Sequence, residues 1–456
     1  MRFIDLFAGC GGLSLGLSMA GAQGLFAIEK DAKAFSTFKA NFIDITHDRF
    51  SRFAWPKDWL EARAWGIDEI LEKHADKLIE LRHSNIDLIA GGPPCQGFSF
   101  AGRRNPDDPR NQLFKRYIDF VKLVKPTAVL LENVPGMAVA HGVAKSGERR
   151  LSGDTRGSYF EALAAELDQL GYDVVGNVID ASRFGVPQKR ARLIVVGLLR
   201  ERLQPAEQGR LAAQVFERLE SQRIPFLKSM GLSYPVSAEE AIGDLTLRRP
   251  HHGFWPLRDC EDPESPKGFQ ELAYDGRRSK SAYQHLMRSV IPAHRMDSMR
   301  LARHSEVVKQ RFWEIINFCR KGVRLSESDR ETFNLRKYRI HPMSASDPAP
   351  TVTTLPDDIL HYCDPRILTV RECARLQSFP DGFVFKGKYT TGGALRTKEC
   401  PRYTQVGNAV PPLLALAIGR ALRDVLATCS VAPSAVVDSA SAEKIANVNA
   451  KEVVLV

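Results

Sequence analysis

Four short segments of this 456-residue chain carry residue types that could do chemistry together. In GGPPCQGFS (91–99), Cys95 follows Pro93-Pro94. Proline fixes φ and offers no N–H, so the thiol stands on a stiff, polar loop. A structural cysteine more usually sits inside an apolar strand or helix, whereas an exposed loop thiol can act as a nucleophile. A lone loop cysteine is still more often inert, so its surroundings decide. In ENV (132–134), Glu132 closes the apolar run AVLL. A carboxyl held protonated by burial there can donate a proton or a hydrogen bond; the bland alternative is a capping or loop glutamate. In QKRAR (188–192), Arg190 and Arg192 alternate with Ala191, so both guanidiniums face one side. Such a pair suits a phosphate or a base carbonyl, or is a solvated charge run. In DLFAGCGG (5–12), Gly9, Gly11 and Gly12 stand at the mouth of a helix, whose free N–H groups and missing side chains let a ligand approach.

The elements that must position these groups alternate between strand and helix over residues 3–196. Phe3–Phe7 reads as a short buried strand running into the glycine turn, and Leu13–Ala20 has helical spacing with Ser14 near its start. Leu25–Glu29 is a second strand, after which Asp31 can cap a helix. Further strands are expected at Ile86–Ala90, Ala128–Leu131, Val174–Ile179 and Leu193–Val196, with helices near Gln112–Val124 and Tyr159–Leu170. This pitch predicts an α/β fold, a mostly parallel sheet covered on both faces. Cys95 and Glu132 then fall at the carboxyl edge, where open sheets of this kind place their sites. Glu29 ends the second strand, where a carboxylate can accept hydrogen bonds from ribose hydroxyls. A dinucleotide fingerprint is excluded, because Ser14 stands where GxGxxG needs glycine, which removes a nicotinamide-dependent oxidoreductase. Phe7 is either simple core or a surface for an adenine ring.

Beyond residue 200 the alternation stops, and 200–340 shows no steady period. The Pro-rich stretch 342–356 leads into an ordered segment, 364–427, ending in an apolar helix from Pro411 to Ala427. Residues 428–456 hold no aromatic residue and read as a tail. Lys and Arg number 64 against 54 Asp and Glu, a net charge of +10 that fits a polyanionic partner without requiring one. The eight cysteines form no CxxC pair, and His251-His252 has no cysteine at ligand spacing, so neither a disulfide framework nor a zinc site is indicated. No signal peptide and no membrane-length apolar run is present, and the expectation is a reduced intracellular protein.

Taken together, DLFAGCGGLSLGL (5–17), GGPPCQGFS, ENV, QKRAR, RILTVRECARLQSFP (366–380) and QVGNAVPP (405–412) resemble, in family order, the cytosine-5 DNA methyltransferases. The resemblance covers about residues 1–200 and 340–427. It implies an S-adenosylmethionine-dependent, Rossmann-like mixed sheet with helices on both faces, plus a smaller target-recognition domain. The domains would be 1–199 for catalysis and cofactor, 200–340 for target recognition, and 341–427 as a return segment. Cys95 would attack carbon 6 of a flipped-out cytosine, Glu132 would engage the adjacent ring nitrogen, and Arg192 the base carbonyl, with Arg190 supporting the site. The cofactor contacts would be Phe7, Gly9, Gly11, Gly12, Leu13, Glu29, Lys30, Pro94, Leu113, Asn408 and Val410. The family's adenine-contacting aspartate has no clear counterpart, because 44–85 holds a longer, Trp-rich insertion; Asp68 is the best candidate.

The implied partners are S-adenosylmethionine as methyl donor and duplex DNA, with no metal and no membrane. The short N-terminal lead-in resembles bacterial modification enzymes, which implies a monomer in the cytosol or nucleoid and a restriction endonuclease as a functional partner. Two rivals share the motifs. A transfer-RNA cytosine-5 methyltransferase is disfavoured by the long middle region, and a catalytically dead binding module by the presence of both Cys95 and Glu132.

Overall fold

The computed structural model describes residues 1–44, 53–94, 113–138, 158–204, 210–248, 253–274, 278–290, 296–391 and 399–431. Cys95, the His251-His252 pair and the tail from residue 432 lie outside the described residues.

The first strand, β1 (Arg2–Leu6), leads through the glycine turn into α1 (Gly12–Met19), followed by β2 (Gln23–Ile28) and α2 (Ala32–Phe42). As expected, Asp31 caps α2, its carboxylate accepting from the N–H groups of Lys33 and Ala34. The Trp-rich stretch is part of the core. Trp55 and Trp59 meet Phe26 of β2 edge-on at centroid distances of 6.4 and 5.5 Å, and Trp55 meets Phe35 of α2 at 5.9 Å. Two short helices follow, α3 (Ile67–Lys73) and α4 (Ala75–Glu80). Then come β3 (Leu88–Gly91), α5 (Leu113–Val124), β4 (Ala128–Asn133), α6 (Tyr159–Gln169), β5 (Tyr172–Asp180) and β6 (Ala191–Leu199).

These six strands form one sheet in the order β2-β1-β3-β4-β6-β5. Strands β1 to β4 pair in parallel, while β6 runs antiparallel to both β4 and β5. The sheet is therefore mixed, with β6 alone reversed. Every residue of β3 and β4 is buried, which is why LIAG and the AVLL of β4 read as unbroken apolar runs rather than alternating ones.

The apolar core does not stop at residue 200. It runs on through Leu203 and the helix α7 (Leu211–Ser221), whose Leu211, Ala212, Val215 and Leu219 are buried, and past Leu245 to Leu272, Tyr283, Met287 and Met299. A separate small cluster joins Ile315, Ile316, Leu325 and Ile340 to Leu360 and Ile367. The final helix, Pro412–Thr428, folds back onto α1. A side chain on Gly16 would collide with Ala415 Cβ and Pro412 O and lie 2.7 Å from Leu416 N, so glycine permits this close crossing. No helix among the described residues is long and apolar enough to cross a membrane.

Candidate active site

The carboxyl ends of β1 to β4 open into a cavity of about 380 Å³. Its walls include Phe7, Gly9, Gly12, Leu13, Glu29, Lys30, Asp68, Pro94, Leu113, Glu132, Arg190, Arg192, Asn408 and Val410. Residues from the first strand, the sheet centre and the far C-terminal segment thus meet in one place. Cys95 lies outside the described residues, but Pro94 on the wall is its chain neighbour.

One end is built by the turn after β1. Phe7 adopts a left-handed backbone (φ 59°), as do Gly9 (φ 57°) and Gly11 (φ 97°). The three glycines do different things. Nothing lies within 4 Å of the place where a Gly9 Cβ would stand, so this is the backbone a ligand can approach. A Cβ on Gly12 would collide with Val410 O, and one on Gly11 with the Phe42 ring while standing 3.0 Å from Phe38. Gly12 makes room for the C-terminal segment and Gly11 for α2. Gly11 is the one expected cofactor residue absent from the cavity wall.

Glu29, one residue past β2, accepts hydrogen bonds from the N–H groups of Gly9 (2.9 Å) and Asp31 (2.7 Å). Burial pushes its carboxyl up from the usual range, and the two N–H groups oppose that. Its backbone carbonyl accepts from Trp65 N at 2.9 Å, which draws the Trp65-Gly66-Ile67 corner onto the wall. Asp68 follows in the first turn of α3, its Oδ1 2.7 Å from Arg116 Nε and its side chain 57% exposed. An aimed carboxylate, an open glycine and an apolar corner of Phe7, Trp65 and Ile67 together fit the ribose and purine of an adenosyl group.

The other end lies where β4 meets β6. Because β6 is reversed, its first residues sit beside the last residues of β4, with Glu132 opposite Ile194 and Asn133 opposite Leu193. Glu132 Oε1 and Arg192 Nε stand 2.8 Å apart with side-chain exposures of 11% and 13%. The ion pair is close but misaligned, since Glu132 Oε1 has no hydrogen-bond partner. The other oxygen, Oε2, lies 3.5 Å from the place a Gly92 Cβ would occupy, three residues before Cys95. Asn133 holds the same loop: its Nδ2 donates to Pro93 O at 3.2 Å, and its Oδ1 accepts from Val134 N at 2.8 Å.

Arg190 behaves differently from its neighbour. It is fully buried and donates to the carbonyls of Val352 (3.1 Å), Gly407 (3.0 Å) and Ala409 (3.0 Å). The expectation that both guanidiniums present themselves to a phosphate or base carbonyl is corrected to this extent. The Nη groups of Arg190 are engaged by the protein's own backbone, and burial drives its pKa well below the usual arginine value.

Asp5, Cys400 and Gln405 also line the wall; none of them took a role from the sequence, although Asp5 and Gln405 open two of the quoted motifs. Asp5 sits in β1 among apolar neighbours, and burial raises its carboxyl to about 7. Cys400 and Gln405 reach the wall from a segment more than 300 residues away in the chain. Elsewhere, His361, Cys363 and Asp364 bring metal-ligand types together among the described residues. There His361 Nδ1 already accepts from the N–H groups of Cys363 (3.2 Å) and Asp364 (3.1 Å), and Asp364 pairs with Arg366 at 3.1 Å.

The sequence model of the C-5 cytosine-specific DNA methylases matches residues 1–424. The chain belongs to this family. As a DNA cytosine-5-methyltransferase it takes its methyl group from S-adenosylmethionine, which agrees with the adenosyl fit at the glycine turn. This methylase is 32% identical to the type II methyltransferase M.DdeI of Desulfomicrobium norvegicum, over 92% of this chain and 87% of that protein. It is 30% identical to M1.HphI of Haemophilus parahaemolyticus, over 92% and 86%. In fold it is similar to an E. coli protein described as a prophage-encoded DNA modification methyltransferase, with a TM-score of 0.58 and 23% identity over 94% of this chain and 99% of that one.

Proposed function

We propose that this methylase modifies cytosine within a specific duplex DNA sequence through a covalent Cys95 adduct, as the modification partner of a type II restriction system. The observation that carries the reading is the Glu132–Arg192 pair, which lies beside the loop leading to Cys95, on the wall of the cavity that Glu29 and Asn408 also line.

Carbon 5 of cytosine is a weak nucleophile, and the target ring must leave the base stack to be reached at all. The Cys95 thiolate forms a bond to carbon 6, and the ring's electron pair shifts toward carbon 5. Glu132, as the acid, supplies a proton or hydrogen bond to the ring nitrogen that gains charge, and Arg192 holds the base carbonyl while keeping Glu132 in place. Carbon 5 would then bond to the electrophilic methyl group that bound S-adenosylmethionine supplies, as the methyl–sulfur bond breaks and leaves a thioether. A base then takes the carbon-5 proton, the carbon–sulfur bond breaks, the ring nitrogen returns any proton it received to Glu132, and the thiolate is restored. Phe7, Gly9, Gly12, Leu13, Glu29, Lys30, Asp68, Pro94, Leu113, Asn408 and Val410 would hold the cofactor, and Arg190 would support them from behind.

We take residues 200–340 as the target-reading region. Its satellite lobe presents Tyr338, 55% exposed, with Arg324 and Arg330 at 4.1 and 4.9 Å from the ring, together with exposed Trp313 and Phe318. Cations with exposed aromatics suit phosphates and base edges. The restriction-system role rests on the type II names of the relatives.

The decisive experiment uses duplex DNA carrying 5-fluorocytosine at the target. Fluorine replaces the proton that must leave, so a mechanism through Cys95 predicts a stable protein–DNA adduct, absent in Cys95→Ser. Methylation by Cys95→Ser, or activity on transfer RNA but not on duplex DNA, would overturn the reading.

A further inference from the structure

Arg190 carries its guanidinium into the interior, and no ion-pair partner for it is found among the described residues. Its Nη2 donates to Gly407 O and Ala409 O, the two carbonyls that flank Asn408. Its Nη1 donates to Val352 O in the neighbouring loop segment. Two buried glutamines complete the grip. Gln377 Nε2 donates to Val406 O at 2.7 Å and Ala409 O at 3.3 Å. Gln188 Nε2 donates to Gln377 Oε1 at 2.7 Å, and its Oε1 accepts from Val352 N at 2.8 Å. Across residues 405–419, Asn408 alone is exposed. A Cβ on Gly407 would collide with Thr353 O, so the backbone of 353–354 presses against the turn from the other side.

These contacts sit at the carboxyl end of the helix Arg402–Asn408, where carbonyls lack intrahelical partners. A buried cation there satisfies them and matches the negative end of the helix dipole. An arginine suits this position because its planar fork can donate along three directions at once. A lysine carries the charge but reaches fewer carbonyls.

We infer that Arg190, with Gln188 and Gln377, is a positioning clasp that fixes the 406–409 turn so that Asn408 points at the cofactor. Arg190 touches neither DNA nor the reacting atoms. The pair of arginines in QKRAR is thereby divided: Arg192 faces the chemistry and Arg190 holds the cofactor wall. This rests on the proposed cofactor contact of Asn408, and the experiment separates the two ideas.

The measurements are S-adenosylmethionine affinity by calorimetry without DNA, KM for duplex DNA at saturating cofactor, and amide hydrogen exchange over 406–410. They compare the full chain with Arg190→Lys, Arg190→Ala and Asn408→Ala. For Arg190→Lys the expectation is roughly tenfold weaker cofactor binding, roughly tenfold faster exchange at 406–410, and an unchanged KM for DNA. Arg190→Lys decides the matter should Arg190→Ala fail to fold. If Asn408→Ala weakens cofactor binding but Arg190→Lys changes neither affinity nor exchange, the clasp is refuted. If Arg190→Lys raises KM for DNA and leaves the cofactor alone, Arg190 is a DNA contact. If Asn408→Ala leaves cofactor affinity intact while exchange responds to Arg190→Lys, the clasp stands as a structural grip and the cofactor role of Asn408 falls.

Discussion

Replacing Asp5 by Asn should remove a pH-dependent load from the free enzyme. Asp5 is 1% exposed in the middle of β1; Oδ2 accepts from Ser14 Oγ at 2.5 Å, and Oδ1 has no partner. Burial raises the carboxyl from 3.8 to about 7, the neighbouring Glu29 adds to the rise, and the Ser14 hydroxyl opposes it. The unfolded chain releases this proton near 3.8, while the native protein keeps it until about 7. Between those values the native state binds the extra proton, so stability falls as pH rises through the window and levels off above it. At about 1.4 kcal/mol per unit, the full load is on the order of 4 kcal/mol.

Asparagine is neutral throughout and can still accept from Ser14, but its amide N–H groups would be buried without a partner, at a cost of about 1–3 kcal/mol. Asp5→Asn should therefore be less stable than wild type near pH 4.5 and more stable near pH 8. Urea denaturation of both proteins without cofactor, at half-unit steps from pH 4.5 to 8.5, gives the difference between them at each pH. Ionisations common to both proteins cancel in that difference. It should climb by a few kcal/mol across the window, in favour of Asn. Parallel curves would show that Asp5 ionises in the native protein as it does in the unfolded chain, and the argument from burial would fail.

Two further substitutions probe the site and its frame. Glu132→Gln keeps the shape of the side chain but cannot donate a carboxyl proton; methyl transfer should slow by about 10²- to 10⁴-fold while cofactor affinity measured by calorimetry changes little. A full rate would remove Glu132 from the reaction. Gly16→Ala gains about 1 kcal/mol of helix propensity but drives a methyl group into Ala415 and Pro412 O, a clash worth about 1–3 kcal/mol or more. Net destabilisation, read as a lower urea midpoint at unchanged slope, is expected, and a raised midpoint would mean that α1 and the last helix do not cross so closely.

The sequence made the chemistry more legible than the architecture that delivers it. Glu132 at the end of one strand and Arg192 at the start of another would lie at opposite edges of an all-parallel sheet. Their meeting depends on the reversal of β6, which strand-by-strand patterning does not reveal, because β6 is as apolar as its parallel neighbours. The glycine turn was recognisable, but the division of labour was not. Only the structure separates Gly9, open to a ligand, from Gly11 and Gly12, which admit a ring and a backbone carbonyl. Asp5 opens the quoted DLFAGCGG segment, yet it received no role, because a carboxyl in a buried strand looks like an interruption of the apolar run. The helix Glu306–Phe318 lacked a helical signal for the opposite reason: it buries Ile315 and Ile316 while Val307, Trp313 and Phe318 face outward, so its apolar residues do not share one stripe.

Residues 244–297 are joined to the segment 371–402 by buried guanidiniums as well as by apolar contact. Arg375 pairs with Asp244 at 2.6 Å and with Asp381 at 2.7 Å, and Tyr274 donates to the same Asp244. Arg402 pairs with Asp262 and with Glu264 at 3.1 Å, and Arg371 with Asp297. In each case the arginine belongs to the return segment and at least one acid to residues 244–297. Buried pairs contribute little net stability, because desolvation offsets most of the attraction, yet a shifted seam would leave unpaired charges inside, at a cost of several kcal/mol each. Apolar surfaces tolerate sliding, whereas these pairs tolerate one register. Such a seam therefore holds residues 244–297 at one fixed distance from the cavity that Gln405 and Asn408 line.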